Sequence, residues 1–282
     1  MGLTGGMTPD APPLQQHPGH ACALAAMGLR ADRVEREGVA MVRLRRGPLS
    51  ATFRGPVWPP GMTPDRRADW LRRHGPRLVE GEAGDGPALH AAGYRQLMTG
   101  GWVAALDLTG GAAAIRARAH GKWRNRATRA AREGLRLRNE VFAGEEDHWL
   151  LSAEAEQRAA RAYRALPLAL TRAWAQTSPG AARLFALEQG TTAVAGMLFL
   201  RHGEAVTYIT GWTGEEGRRL SAHHLILLRA AGWFAGRGAR RMDLGALDTV
   251  NAPGLARFKL GSGATASQLA GSWLKLRPRS FF

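Results

Sequence analysis

An α+β protein of two lobes, each a mostly antiparallel sheet with packed helices, is the fold class this sequence predicts. Three observations predict it: an order of elements that occurs twice, a basic segment between the two occurrences, and a length of 282 residues. A chain of this length buries roughly 75% of its unfolded surface, enough for one large domain or two smaller ones.

The first occurrence runs from Val34 to Glu82. VEREGVAMVRLRRGPLSATFRGPVW reads as strand, turn at Gly38, strand, turn at Gly47-Pro48 and strand ending at Trp58; a helix over 65–74 and a strand over 77–81 follow. The second runs from Leu184 to Ala246. LFALEQGTTAVAGMLFLRHGEAVTYITGW reads as strand, turn at Gly190, strand, turn at Gly203 and strand ending at Trp212, followed by a helix over 221–237 and a strand over 240–245. Alternating apolar and polar residues between glycine turns predict meanders. In the second helix, Leu225, Leu228, Ala231 and Ala235 recur at helical spacing, Ser221 is the expected N-cap and Gly238 the expected stop.

Between the two lies AAAIRARAHGKWRNRATRAAREGLRLR (112–138), with nine Lys/Arg and one Glu. Read as one helix, it places Arg118, Lys122, Arg129 and Arg132 on a face opposite Ile115, Trp123, Ala127, Ala130 and Ala131. The expected organisation is a disordered lead-in over 1–12, a lobe over 13–111, a basic connecting helix over 112–138 and a lobe over 139–282.

The formal net charge is +16, carried by 36 Arg and three Lys against 23 acidic residues. It has two readings: a polyanionic partner such as RNA, a nucleotide or a phosphorylated substrate, or a solvated surface in a chain rich in Arg, Ala and Gly throughout. The longest apolar run, AVAGMLFL (193–200), is far short of the ~20 residues a membrane-spanning helix needs. The N-terminal residues lack the basic-then-apolar order of a secretory signal, and one cysteine permits no intrachain disulfide. A cytoplasmic protein is expected. Cys22 sits in an Ala-rich helix and is expected to be a small core residue.

Several chemistries have no support. There is no H-x-x-x-H pattern or cysteine pair for zinc, and His223 and His224 are adjacent at a helix start, where they point apart. Neither a G-x-S-x-G elbow nor a G-x-x-x-x-G-K-[ST] loop is present. GSGATA (261–266) lacks a third glycine and a directly preceding strand. What remains is chemistry by positioning and electrostatics.

MDLGA (242–246) followed by PGLARFKLGSG (253–263) resembles a specific motif of the FemAB-like branch of the GNAT N-acyltransferase superfamily: a D-L-G strand, then G-L-x-x-F-K-x-G-x-G. PLQQHPGHACALAAMG (13–28) is similar to that branch's opening strand and helix, and RGPVW (54–58) to its third strand. LDLTG with KWRNRATRAAREGLRL (106–137) is similar to the segment bridging its two GNAT-like lobes. The resemblance implies acyl or aminoacyl transfer to an amine, with no tightly bound cofactor. The donor it implies is aminoacyl-tRNA, as in Fem-type enzymes with a peptidoglycan precursor as acceptor, or acyl-CoA, as in ordinary GNAT enzymes. It places Phe258 and Lys259 at the active site.

Physical chemistry supports that placement. Amine attack on an ester or thioester puts negative charge on the carbonyl oxygen, and a compact ammonium approaches an oxyanion more closely than a planar guanidinium does. Retention of lysine at 259 in an arginine-biased chain is therefore informative. Tyr208 and Asp248 are candidates for acid or base work, and Asp243 is expected to hold a turn. Lys122, Arg124, Arg126, Arg218, Arg219 and Trp212 are candidates for contacting the donor or its phosphates. GWTGEEGRRLSAHH (211–224) stands where CoA-dependent relatives carry R/Q-x-x-G-x-G/A, but two acids separate Gly214 from Gly217 and the spacing differs. No long helical hairpin of the kind some Fem proteins use on tRNA is evident. The rival expectation is a non-catalytic RNA- or nucleotide-binding protein on an acyltransferase fold.

Overall fold

The computed structural model describes residues 11–161 and 167–276. Two compact units divide the chain: one comprises residues 1–102 and 267–282, the other residues 103–266.

The first unit opens with a 3-10 turn at Leu14–Gln16 and helix α1 (Pro18–Ala26), then strands β1 (Arg30–Arg36), β2 (Val39–Arg46) and β3 (Leu49–Phe53). Helix α2 (Pro64–His74), strand β4 (Leu78–Gly81), helix α3 (Gly86–Ala91) and strand β5 (Tyr94–Met98) follow. Gly38 and Gly47 take positive φ at the two meander turns, conformations that cost glycine little. In α2, Thr63 accepts from the Arg66 N–H, and Ala68, Trp70 and Leu71 are buried, closing a core with Val39, Met41, Val79, Leu89 and Trp273.

The second unit begins at β6 (Trp102–Asp107), then α4 (Gly111–Arg118), α5 (Gly121–Ala130), β7 (Arg136–Val141), α6 (Trp149–Arg161) and α7 (Leu168–Thr177). The meander β8 (Ala182–Gln189), β9 (Thr192–His202) and β10 (Ala205–Thr213) leads to α8 (Glu215–Arg219), α9 (Ala222–Ala235), β11 (Arg241–Leu247), α10 (Pro253–Gly261) and β12 (Thr265–Gln268). The last strand, β13 (Gly271–Lys275), returns to the first unit, whose sheet runs β1-β2-β3-β4-β13-β5; the second runs β12-β6-β11-β10-β9-β8-β7.

The repeated element order is present in both units. Each has an antiparallel three-strand meander, a helical crossover, and a strand that pairs in parallel with the meander's third strand: Thr52 with Val79, and Val206 with Met242. The fold is thus α+β, with two mostly antiparallel sheets and packed helices.

Several expectations change. Ala11, placed in the lead-in over 1–12, is 0% exposed; residues 1–10 of that segment lie outside the described residues. The opening strand expected in PLQQ is the 3-10 turn, where Gln16 is anchored by side-chain bonds to Thr52, Phe53 and Val42. The third strand stops at Phe53 because Arg54 turns to φ 53°. The single basic helix over 112–138 is two helices and the start of β7: Ala119 is extended, and the His120 N–H donates to the Gly261 carbonyl instead of continuing the helix. The break puts Arg118 on a different helix from Lys122 and Arg129. Residues 267–276 belong with the first unit, because β13 pairs on both sides within that sheet. Cys22 lies on α1 but is exposed, because the buried side of that helix is formed by His20, Ala21, Ala23 and Leu24.

Candidate active site

The second unit's parallel pair is short. Strands β10 and β11 pair over Ala205–Arg241, Val206–Met242 and Thr207–Asp243 only, and a bulge at Ile209 follows immediately on β10. Beyond it, residues 208–213 and 244–247 run on without pairing to each other. A bulge re-aims a strand and ends its ladder, so the two strands part where the motif residues gather.

On β11 the Asp243 carboxylate accepts from the Gly245 N–H at 2.8 Å, and Gly245 takes φ +77°. This fixes a bend that presents the Ala246 carbonyl to α10. There the Lys259 Nζ donates to it at 2.7 Å. Lys259 is 5% exposed, and burial pushes its pKa down to about 8, opposed in part by the negative charge of Asp243. An ammonium has three N–H donors, and among the described residues Ala246 is the one acceptor Lys259 engages. Two donors remain in a poorly solvated place.

Helix α10 is seated by an aromatic cluster. The Phe258 ring lies 5.1 Å from His224, 6.0 Å from Trp123 and 6.3 Å from His223, centroid to centroid. The Trp123 indole donates to the Phe258 carbonyl at 2.9 Å. The motif's last glycines make this fit possible. A Cβ on Gly261 would sit 2.8 Å from the Trp123 ring, and one on Gly263, already at φ +91°, 2.7 Å from the Arg118 carbonyl oxygen. His224 is held neutral, its pKa lowered to about 4 by burial and by the neighbouring charge of Arg126, with smaller contributions from His223 and Arg129.

Among the other expected residues, Tyr208 is half-buried at the bulge, its ring 5.7 Å from Phe199 and its hydroxyl 2.8 Å from where a Cβ on Gly211 would lie. Asp248 is exposed and accepts from the backbone of Val250 and Asn251 and from the Asn251 amide. These bonds lower its pKa, make it a weaker base and shape the turn into α10. Trp212 meets Trp149 edge-on at 6.0 Å, and its carbonyl accepts from His223 Nε2 at 2.9 Å, tying β10 to the start of α9.

The basic candidates fall into two groups. Lys122 and Arg126 are exposed on α5, while Arg124 is partly buried and reaches back to the Ala119 carbonyl. Arg218 donates to the Thr213 carbonyl and Arg219 is paired with Glu216, so both are already partnered. Ser221 takes φ +58° and makes no side-chain cap; its hydroxyl accepts from Arg129 at 3.1 Å. Gly214 and Gly217 have a packing explanation. The Gly214 N–H donates to the Val194 carbonyl, and a Cβ on Gly217 would collide with that same carbonyl oxygen and with Thr213.

Trp123 and His224 were missed as site residues by sequence reasoning. Trp123 read as one member of an apolar stripe, and the histidine pair was weighed only for metal. Among the described residues no group of three or more His, Cys, Asp or Glu side chains could hold a metal, and no helix is long and apolar enough to cross a membrane.

Residues 111–260 match the family model described as acetyltransferase (GNAT) domain. Curated protein sequences gave no match. Among solved structures, FemX superposes with a TM-score of 0.71 at 13% identity, over 95% of this chain and 94% of that one. A conserved protein of unknown function from Bacteroides thetaiotaomicron gives 0.63 at 11% identity over 94% and 91%. L-PGS from Bacillus licheniformis gives 0.54 at 13% identity over 94% and 93%. At these identities the likeness is one of fold.

Proposed function

The chain belongs to the GNAT acetyltransferase family and is an acyltransferase, and from that premise we propose that it moves an aminoacyl group from tRNA to an amine. The observation that carries the catalytic part is the buried Lys259 ammonium, one donor on Ala246 and two uncommitted, at the point where β10 and β11 part. As the amine attacks the ester carbonyl, the C–N bond forms, charge develops on the oxygen and Lys259 stabilises it. The C–O bond then breaks, and the proton lost by the amine ends on the departing ribose hydroxyl. Tyr208, beside the bulge, is the candidate to carry that proton.

The choice of donor rests on α8. GNAT enzymes generally use acyl-CoA, whose pyrophosphate sits on backbone N–H groups at a helix N-terminus. Here Glu215 and Glu216 occupy that first turn, and carboxylates there repel a pyrophosphate. The two glycines that hint at a cradle are accounted for by packing on Val194. The exposed Arg126, close enough to act on the neutral His224, and the exposed Lys122 on the same helix suit RNA phosphates. Fold likeness to FemX and L-PGS is consistent with this reading.

The test is mass spectrometry of an amine pool incubated with the protein and either charged tRNA or acetyl-CoA. Aminoacylated amine is expected with charged tRNA. Acetylated amine alone assigns the donor to CoA. Neither product, with RNA affinity falling steeply as salt rises, would leave a binding protein. Lys259→Ala is expected to lower turnover by a factor of about 10²–10³, the scale of one lost oxyanion donor; an unchanged rate would remove Lys259 from the mechanism.

A further inference from the structure

The first unit's sheet has two faces, and among the described residues only one is fully covered. Val79 and Trp273, in register on β4 and β13, pack into the core with α2 and α3. Their neighbours along each strand point the other way. On that side Leu44, Ala51, Leu78 and Leu274 form one registered row across β2, β3, β4 and β13, each only part-buried. With Leu29, Leu49 and Phe53 they line a cavity of about 570 Å³, a size suited to a small ligand. Leu29 and Leu49 are 46% and 56% exposed.

The polar lining is cationic. It consists of Arg30, Arg45, Arg46 and Arg77 with Ser50, and contains no acidic residue. Arg45 is paired with Asp32. Among the described residues the Arg30 and Arg46 side chains have no hydrogen-bond or ion-pair partner, and the Arg77 Nε is buried without one. Arg46 stands opposite Leu49 in the β2–β3 ladder, so a guanidinium and an exposed leucine share one edge of the trough. Water solvates the leucines poorly, and an apolar partner would leave the guanidiniums unpaired.

The geometry points to a binding site, within the first unit, for an amphiphile with one alkyl chain and a phosphate or carboxylate head. The chain lies along the Leu44–Leu274 row and the head pairs with Arg46 and Arg77, guanidinium being the natural two-pronged partner of such anions. This site goes beyond the transfer reaction and does not depend on it.

Titration calorimetry of the full chain with alkyl phosphates below their micelle concentrations tests it. Affinity is expected to rise about fourfold per methylene from octyl to dodecyl phosphate, the increment for burying a CH₂ group. Leu49→Ser and Arg46→Gln, both at exposed positions, are each expected to weaken dodecyl phosphate about tenfold. Inorganic phosphate is expected not to displace it. Chain-length-independent affinity, unchanged binding in Leu49→Ser, or displacement by equimolar inorganic phosphate would each overturn the site, because each signals attraction to charge alone. Competition by phosphatidylglycerol vesicles identifies a bilayer as the source of the chain. Its absence, with dodecyl phosphate still bound, identifies a free amphiphile; both results support the shared chemistry.

Discussion

At the residue scale the proposed mechanism turns on one buried ammonium. The Lys259 pKa is about 8 in the folded chain, against about 10.4 in an unfolded one. Between those values the unfolded chain holds a proton that the folded chain has released. Stability therefore rises with pH across that window, and the cost of the buried charge is fully present below pH 8. Lys259→Met is expected to raise unfolding free energy at pH 7 by about 1–3 kcal/mol, with the gain fading by pH 10.5. Urea unfolding at the two pH values measures this; a variant less stable at pH 7 would mean that the Ala246 and Asp243 contacts outweigh desolvation. The same titration bears on turnover, which is expected to decline above pH 8 as the ammonium loses its proton. Lys259→Arg, which stays charged, is expected to lack that decline whatever its absolute rate.

At the element scale, α10 is placed by what its glycines leave out. Gly261 admits the Trp123 ring and Gly263 the Arg118 backbone, so the α4–α5 break and the motif's end form one joint, closed by the His120–Gly261 hydrogen bond. Gly263→Ala is expected to destabilise by about 1–3 kcal/mol, since the residue combines positive φ with a backbone clash. Thermal unfolding measures it, and a neutral change would show that the joint is slack. The pattern G-x-G was visible in the sequence, as was a stripe of Trp123, Ala127 and Ala130. That the stripe packs under the motif was not visible, because the residues in contact are 135 positions apart. The same limit applied to Gly214 and Gly217: their place after the third strand raised a phosphate loop despite the unmatched spacing, whereas Val194, on another strand, explains them.

At the scale of the whole molecule, the end of the chain returns to complete the first sheet. Strand β13 lies between β4 and β5 in the first sheet, and β6 lies between β12 and β11 in the second. A fragment of residues 1–102 lacks that interior strand and leaves two unpaired edges, a liability for any sheet. It is expected to be unfolded or aggregated by circular dichroism, and addition of a peptide covering 267–282 is expected to recover strand signal. A folded 1–102 fragment would show β13 to be dispensable.

The sequence by itself determined the two meanders, their crossover helices and the absence of a long apolar span, and it marked Phe258-Lys259 as a candidate motif. These follow from local rules: alternation, helical spacing, glycine at turns, and a lysine kept where arginine is the habit. Only the tertiary structure decided that Asp248 shapes a turn, that Arg219 is spent on Glu216, that the basic segment is broken in two, and that the last strand completes the first sheet. The last two depend on partners distant in the chain, about which local propensity carries no information; the Asp248 and Arg219 bonds are to near neighbours, and there the folded geometry selects one among several local partners.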